Sequence, residues 1–269
     1  MSFSIAGKTA IVTGAANGIG LAIARHFVEE GANVMFVDMD DAALTAQIGD
    51  KVGEIGPIRM FNGDLRQKLT IANLLSATID AFERIDILVN AARQVMPGDA
   101  MNPDDKAIET ALQQNVLAGL RLSQMIAKRM IKQASEAGDD SGQAGSIINL
   151  SSITPRRTHP DLLAFSVSAA ALDQATRSLA LALAPRRVRV NAVAFGSVMS
   201  ASLKRSLKED EGLRESVLSV TPMGRIAKSS ELAAAVQFLA SEASAFVTGQ
   251  ILTVDGGRTL LDPVAGVAH

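Results

Sequence analysis

Short runs of β-branched and aliphatic residues alternate along this chain with longer stretches of helical periodicity. Seven segments read as strands: 8–13, 33–38, 58–61, 86–90, 146–150, 188–193 and 250–254. Helical patterns lie between them at 18–30, 41–52, 67–83, 104–135, 165–184 and 229–241. The strand cores Ala10-Ile11-Val12, Ile87-Leu88-Val89 and Ile147-Ile148 are continuously apolar rather than alternating. A strand covered on both faces needs apolar side chains at every position, as in a parallel sheet between two layers of helices. The alternation predicts an α/β protein, a doubly wound seven-stranded parallel sheet with right-handed crossovers. Ser229 or Ser230 is placed to cap the last helix, with Glu231 in its first turn.

No shift in composition and no repeat divides the chain, so residues 1–269 read as a single domain. Gly138 to Gly142 is the most linker-like stretch and reads as a surface loop ahead of a strand. The insertion 197–222 carries a loose helical stripe of Leu203, Leu207, Leu213 and Val217. A segment of that length in a compact domain is either a lid over a binding site or a surface helix.

Composition then removes whole classes of chemistry. Cysteine is absent, which excludes disulfides, thiolate metal ligands and thiol nucleophiles. His26, His159 and His269 show no metal-ligand spacing, so no metal site is expected. A formal net charge of -2 gives no bulk attraction to nucleic acid or anionic membrane. The most apolar stretch, 162–184, is interrupted by Asp173, Gln174 and Arg177, and residues 1–7 carry no apolar run. No membrane span is expected, and a cytoplasmic location is. Arg186, Arg187 and Arg189 read as a solvated cluster where a strand begins. Tryptophan and tyrosine are both absent.

The first strand runs into Thr13-Gly14-Ala15-Ala16-Asn17-Gly18-Ile19-Gly20, which opens the first helix. Glycine is needed where backbone turns sharply or approaches a phosphate closely. The helix N-terminus beyond it offers free N–H groups and a positive dipole end to a diphosphate. The second strand ends in Asp38, 18 residues after Gly20, where a carboxylate can accept hydrogen bonds from both hydroxyls of an adenosine ribose. Asp38 would repel a 2′-phosphate. Met39 and Asn17 supply no cation to bind one, so NAD is favoured over NADP.

These residues, with Asp64-Leu65, Asn90-Ala91-Ala92, Asn115, Ser151-Ser152, Arg189-Val190-Asn191 and Val254-Asp255-Gly256-Gly257, resemble the short-chain dehydrogenase/reductase family from about residue 7 to 257. The resemblance implies a single-domain Rossmann fold, an NAD(P) cofactor, oxidation or reduction at a secondary alcohol or carbonyl, and a homotetramer. It places Gly14, Asn17, Gly18, Ile19, Gly20 and Asp38 on the cofactor. It also places Asp64 and Leu65 at the adenine, and Asn90 and Ala91 along the ribose edge. In the family a tyrosine exchanges the proton of the substrate oxygen. A lysine four residues later lowers its pKa and holds the nicotinamide ribose. A serine polarises the substrate oxygen, and an asparagine positions a relay water. Ser152 and Asn115 match the last two positions.

The first two do not match. Phe165 stands where the tyrosine belongs, 13 residues after Ser152, and Ala169 stands where the lysine belongs. No other register rescues the pair in a chain without tyrosine. The family's Asn-Asn-Ala-Gly turn reads Asn90-Ala91-Ala92-Arg93, and its Pro-Gly after the sixth strand reads Phe195-Gly196. Met199 or Ser200 replaces a threonine near the carboxamide. The departures gather at the nicotinamide end. Three readings stay open. One is an oxidoreductase with another proton source, for which His159 is the candidate, and with Arg93 or Arg157 to stabilise an oxyanion. Another is a non-catalytic NAD-binding subunit, sensor or interaction protein. The third is a non-redox enzyme on the same scaffold.

Overall fold

The computed structural model describes residues 2–53, 56–138 and 142–262. Seven strands form one parallel sheet in the order β3-β2-β1-β4-β5-β6-β7. They are β1 (Thr9–Thr13), β2 (Asn33–Asp38), β3 (Ile58–Asn62), β4 (Ile87–Asn90), β5 (Gly145–Ser152), β6 (Val188–Phe195) and β7 (Ile251–Val254). The helices are α1 (Gly18–Glu29), α2 (Asp41–Ile48), α3 (Lys68–Phe82), α4 (Ala107–Leu112), α5 (Ala118–Glu136), α6 (Leu163–Leu183), α7 (Ala201–Glu209), α8 (Leu213–Ser219) and α9 (Ser229–Ala240). The strand order reverses between β1 and β4, and in open α/β sheets that reversal opens a crevice at the carboxyl ends of the strands.

Two apolar cores explain the continuous strand runs. Ala10, Val12, Val34, Phe36, Ile87, Val89 and Ile148 join Phe27 of α1 and Leu232 and Val236 of α9 on one face. Ile11, Met35, Val37, Leu88, Ile147 and Val190 join Leu74 of α3 and Leu122, Ile126 and Met130 of α5 on the other. Successive side chains point to opposite faces, so a strand between two helical layers must be apolar throughout. The edge strand β3 is only partly buried, and Arg59 on it lies 5.5 Å over the Phe82 ring.

Several predicted boundaries move. The pattern over 104–135 is not one helix: α4 and α5 are joined by a π-turn, Gln113–Leu117. Strands β5 and β6 run two residues further than predicted, to Ser152 and Phe195. A 3₁₀ turn, Gly49–Lys51, takes over from α2. Neither Ser229 nor Ser230 caps α9. Lys228 is its N-cap residue, and Glu231 folds back to accept from the Lys228 N–H at 2.8 Å. Arg189 is not solvated. It is 6% exposed and donates to the carbonyls of Leu239, Ser241 and Val247. A basic run is ambiguous in sequence because a guanidinium can serve water or buried carbonyls equally. Burial draws Arg189 down to about 10, so it remains charged at neutral pH. The 138–142 stretch lies partly outside the described residues, as does His269. Segment 197–222 folds into α7 and α8, with Val217 buried and Leu203, Leu207 and Leu213 half-buried, as the stripe predicts. Among the described residues no helix is long and apolar enough to cross a membrane.

Candidate active site

The Gly-rich turn is built by steric exclusion. A Cβ on Gly20 would sit 2.1 Å from the Gly14 carbonyl oxygen, and one on Gly14 would sit 2.8 Å from the Ala92 backbone. Gly14 and Gly18 also adopt φ of +66° and +56°, which side chains disfavour. Nothing lies within 4 Å of the Gly18 Cβ direction, so the turn is open there. Asn17 is the N-cap residue of α1, but its side chain makes no capping bond, and no acidic residue stands in the first turn. The free N–H groups at this helix start can therefore receive an anion. Ile19 turns its side chain into the core and leaves only backbone to the turn.

Asp38 is brought to this turn. Its Oδ2 accepts from the Ala16 N–H at 2.9 Å and its Oδ1 from the Asp40 N–H at 3.1 Å. Neighbouring Asp64 is held by Arg66 through Nε and NH2 at 2.8–3.0 Å, which lowers its pKa below the usual carboxylate range. That pairing occupies the cation nearest in sequence to the predicted adenine pocket. Leu65 packs partly buried against the α3 side of the core.

The β4 turn is pinned against β1 by Thr13, whose Oγ1 accepts from the N–H groups of Ala91 and Ala92, each at 3.0 Å. Asn90 turns inward and donates to Ser123 Oγ at 2.9 Å and Asn149 Oδ1 at 2.8 Å. Asn149 in turn donates to Thr176 Oγ1. Asn90 thus ties β4 to β5 and α5.

Ser152 closes β5, is 7% exposed, and pairs in register with Phe195 on β6. Its Oγ accepts from the Thr154 N–H at 3.2 Å. Phe165 and Ala169 lie on α6, 6% and 5% exposed. Asn115 sits in the π-turn that splits the long helix. Its Oδ1 accepts from the Gln94 N–H at 2.9 Å, while Nδ2 donates to the Gln94 carbonyl at 3.0 Å and to Ser168 Oγ at 3.2 Å. Both ends of its amide are engaged.

Arg93 fills the middle. Its NH1 donates to the Ser151 carbonyl at 2.9 Å, and its guanidinium lies 4.1 Å from the Phe195 ring centroid and 5.6 Å from that of Phe165. Burial lowers its pKa to about 10, so it is a cation at neutral pH. The sequence flagged Arg93 as a misfit in its turn, but its reach to β6 is a tertiary fact. The proton-source candidate His159 and the oxyanion candidate Arg157 bond elsewhere. His159 is largely exposed and accepts from the Asp161 N–H, capping the 3₁₀ turn Pro160–Leu162. Arg157 donates to the carbonyls of Thr259 and Leu261. Ser200 caps α7 by accepting from the Leu203 N–H.

Beneath the site, Ser151 Oγ donates to Asp173 at 2.6 Å, yet burial raises the Asp173 pKa above its ordinary 3.8. Between 3.8 and that raised value the folded state holds the extra proton, so stability falls as pH rises through the window. Asp173→Asn keeps an acceptor for Ser151 and removes the buried charge. The variant is expected to melt higher than the native chain at pH 7, with the difference vanishing in melts below pH 3.8.

A family model described as enoyl-(acyl carrier protein) reductase matches residues 14–259. The chain is 31% identical over 254 residues to 3-oxoacyl-acyl-carrier-protein reductase FabG of Thermotoga maritima, spanning 94% of this chain and 98% of that protein. It is 35% identical over 260 residues to galactitol 2-dehydrogenase (L-tagatose-forming) of Cereibacter sphaeroides, spanning 96% and 97%. A solved 7α-hydroxysteroid dehydrogenase, complexed with NADH and 7-oxo glycochenodeoxycholic acid, is similar with a TM-score of 0.84 at 30% identity over 95% of each chain. On its sheet order and on matches that run nearly end to end, this chain belongs to the short-chain dehydrogenase/reductase family of oxidoreductases.

Proposed function

We propose that this protein binds NAD(H) in preference to NADP(H), and that its turnover of a carbonyl or secondary alcohol by the family's tyrosine-based route is absent or very weak. The observation that carries the second part is the buried Phe165 and Ala169, with the Arg93 guanidinium packed over the Phe165 ring. Phenylalanine keeps the ring and its packing but has no titratable oxygen. Alanine removes the cation that would tune one.

The residues present fit the adenosine diphosphate half of the cofactor. The open backbone at Gly18 and the uncapped N–H groups of α1 would hold the diphosphate, and Asp38 at the same turn would take the ribose hydroxyls. A bound nicotinamide supplies or accepts hydride. The Ser152 hydroxyl would donate to a substrate oxygen. Asn115, with its amide engaged on Gln94 and Ser168, braces the turn carrying Arg93 rather than holding a relay water. The segment 197–222 would cover the crevice as a lid. Exposed Val167 and Leu181 on α6 supply apolar surface for the homotetramer that family membership leads us to expect.

Arg93 also favours a second reading, a non-catalytic nucleotide-binding subunit or sensor, because a cation wedged at the reacting end does no harm there. A hydride-transfer assay over a broad panel of alcohols and ketones separates the two. Binding to the folded state raises its melting temperature by mass action, so thermal shifts test the cofactor. NADH is expected to give a larger shift than NADPH at equal concentration. Asp38→Ala is expected to narrow the gap by about tenfold in relative affinity, or about 1.4 kcal/mol. Equal or larger shifts with NADPH on the native chain would contradict the preference.

A further inference from the structure

We propose that Arg93 closes the far half of the crevice, so that the native chain recognises NAD(H) through its adenosine diphosphate half alone and the nicotinamide half adds nothing to binding. The inference rests on the dinucleotide reading above and narrows it. With adenosine at Asp38 on β2, the sheet order sends the rest of a dinucleotide across the β1 turn towards the ends of β4, β5 and β6. The Arg93 side chain lies along that path. It leaves the end of β4, bonds the Ser151 carbonyl on β5 and stacks on Phe195 of β6, the register partner of Ser152.

Three contacts keep it there: the hydrogen bond to Ser151 and the faces of Phe165 and Phe195. Aromatic faces attract a guanidinium more strongly when water is excluded. Burial alone accounts for its lowered pKa, with no carboxylate compensating, and at about 10 the group stays charged. An oxidised nicotinamide ring is itself cationic and would meet a like charge. Ala169 offers its ribose no donor. The two halves of the crevice are thus built differently: the turn at Gly18 is open backbone, and beyond β4 the half-buried Arg93 side chain reaches to the Phe195 ring.

The test is calorimetric titration of the native chain and of Arg93→Gly with ADP-ribose and with NADH, alongside dihydronicotinamide fluorescence. The chain has no tryptophan or tyrosine to overlap that emission. For the native chain we expect dissociation constants for the two ligands within about twofold and no enhancement of emission on binding. In Arg93→Gly, NADH is expected to bind about tenfold tighter than ADP-ribose, about 1.4 kcal/mol, with enhanced emission. Arg93→Ala, which removes the same three contacts and the charge, is expected to open in the same way and serves if the glycine variant folds poorly. Native NADH binding tenfold or more tighter than ADP-ribose, with enhanced emission, overturns the plug and leaves the dinucleotide reading standing. An unchanged ratio in Arg93→Gly, or loss of both ligands, shows that Arg93 is not a plug and overturns it as well. Binding of neither ligand to the native chain overturns the dinucleotide reading itself.

Discussion

The triple variant Arg93→Gly/Phe165→Tyr/Ala169→Lys is expected to reduce a simple ketone with NADH at least about 10²-fold faster than the native chain, since positioned acid–base catalysis is typically worth about 10²–10⁴-fold. The reasoning is sequential. Phe165→Tyr alone restores a titratable oxygen but not the lysine that in the family holds the nicotinamide ribose. Ala169→Lys alone adds a cation with nothing to tune. The two together still face the guanidinium, whose carbon lies 5.6 Å from the centre of the ring at position 165. Glycine at 93 removes that obstacle and returns the turn to the family pattern. Stopped assays of NADH oxidation over the singles, the double and the triple should show a gain concentrated in the triple. A native chain that turns over a simple secondary alcohol as fast as ordinary family members would sink the impaired-site reading outright, whatever the variants do.

Gly20→Ala is expected to lose nucleotide binding and to destabilise the fold by about 1–3 kcal/mol, the usual cost of overpacking a tight site. Its methyl would meet the Gly14 carbonyl oxygen at 2.1 Å, a backbone atom with no rotamer to yield. Because Gly14 is itself wedged against Ala92, the shift would propagate to the β4 turn. Gly18→Ala is the informative contrast. Its Cβ would meet nothing within 4 Å, so only the positive φ is penalised, at about 1–2 kcal/mol. It is expected to fold, yet to bind nucleotide about tenfold more weakly because the methyl fills the space offered to the diphosphate. Melting curves with and without NADH read both effects. Binding by Gly18→Ala equal to that of the native chain would remove the diphosphate from this turn.

The sheet was legible because burial on both faces writes itself directly into local sequence. Continuous apolar triplets at 10–12 and 87–89 marked central strands, and all seven predicted strands are present. The Gly-rich turn was legible for a related reason: its glycines answer contacts at short range, such as Gly20 against Gly14. A chain without tyrosine can place no phenol at position 165 in any register. Helix interruption was less visible. The periodicity over 104–135 runs through the π-turn at Gln113–Leu117, where Asn115 bonds Gln94 and Ser168, and neither partner is a local neighbour.

Sequence alone therefore determined the fold class, the place of the Gly-rich turn and the lack of a titratable oxygen at position 165, since each depends on residue identity or on neighbours within a few positions. Tertiary structure alone decided where the charged side chains went. Arg189 turned inward to carbonyls of α9 and the loop after it, and Glu231 rather than a serine capped α9. Arg93 reached from β4 across β5 to an aromatic face on β6. A long guanidinium can bond water, a carbonyl or a ring face with comparable gain. Its choice is set by which groups the sheet brings within reach, and that depends on strand order rather than on the residues beside it in the chain.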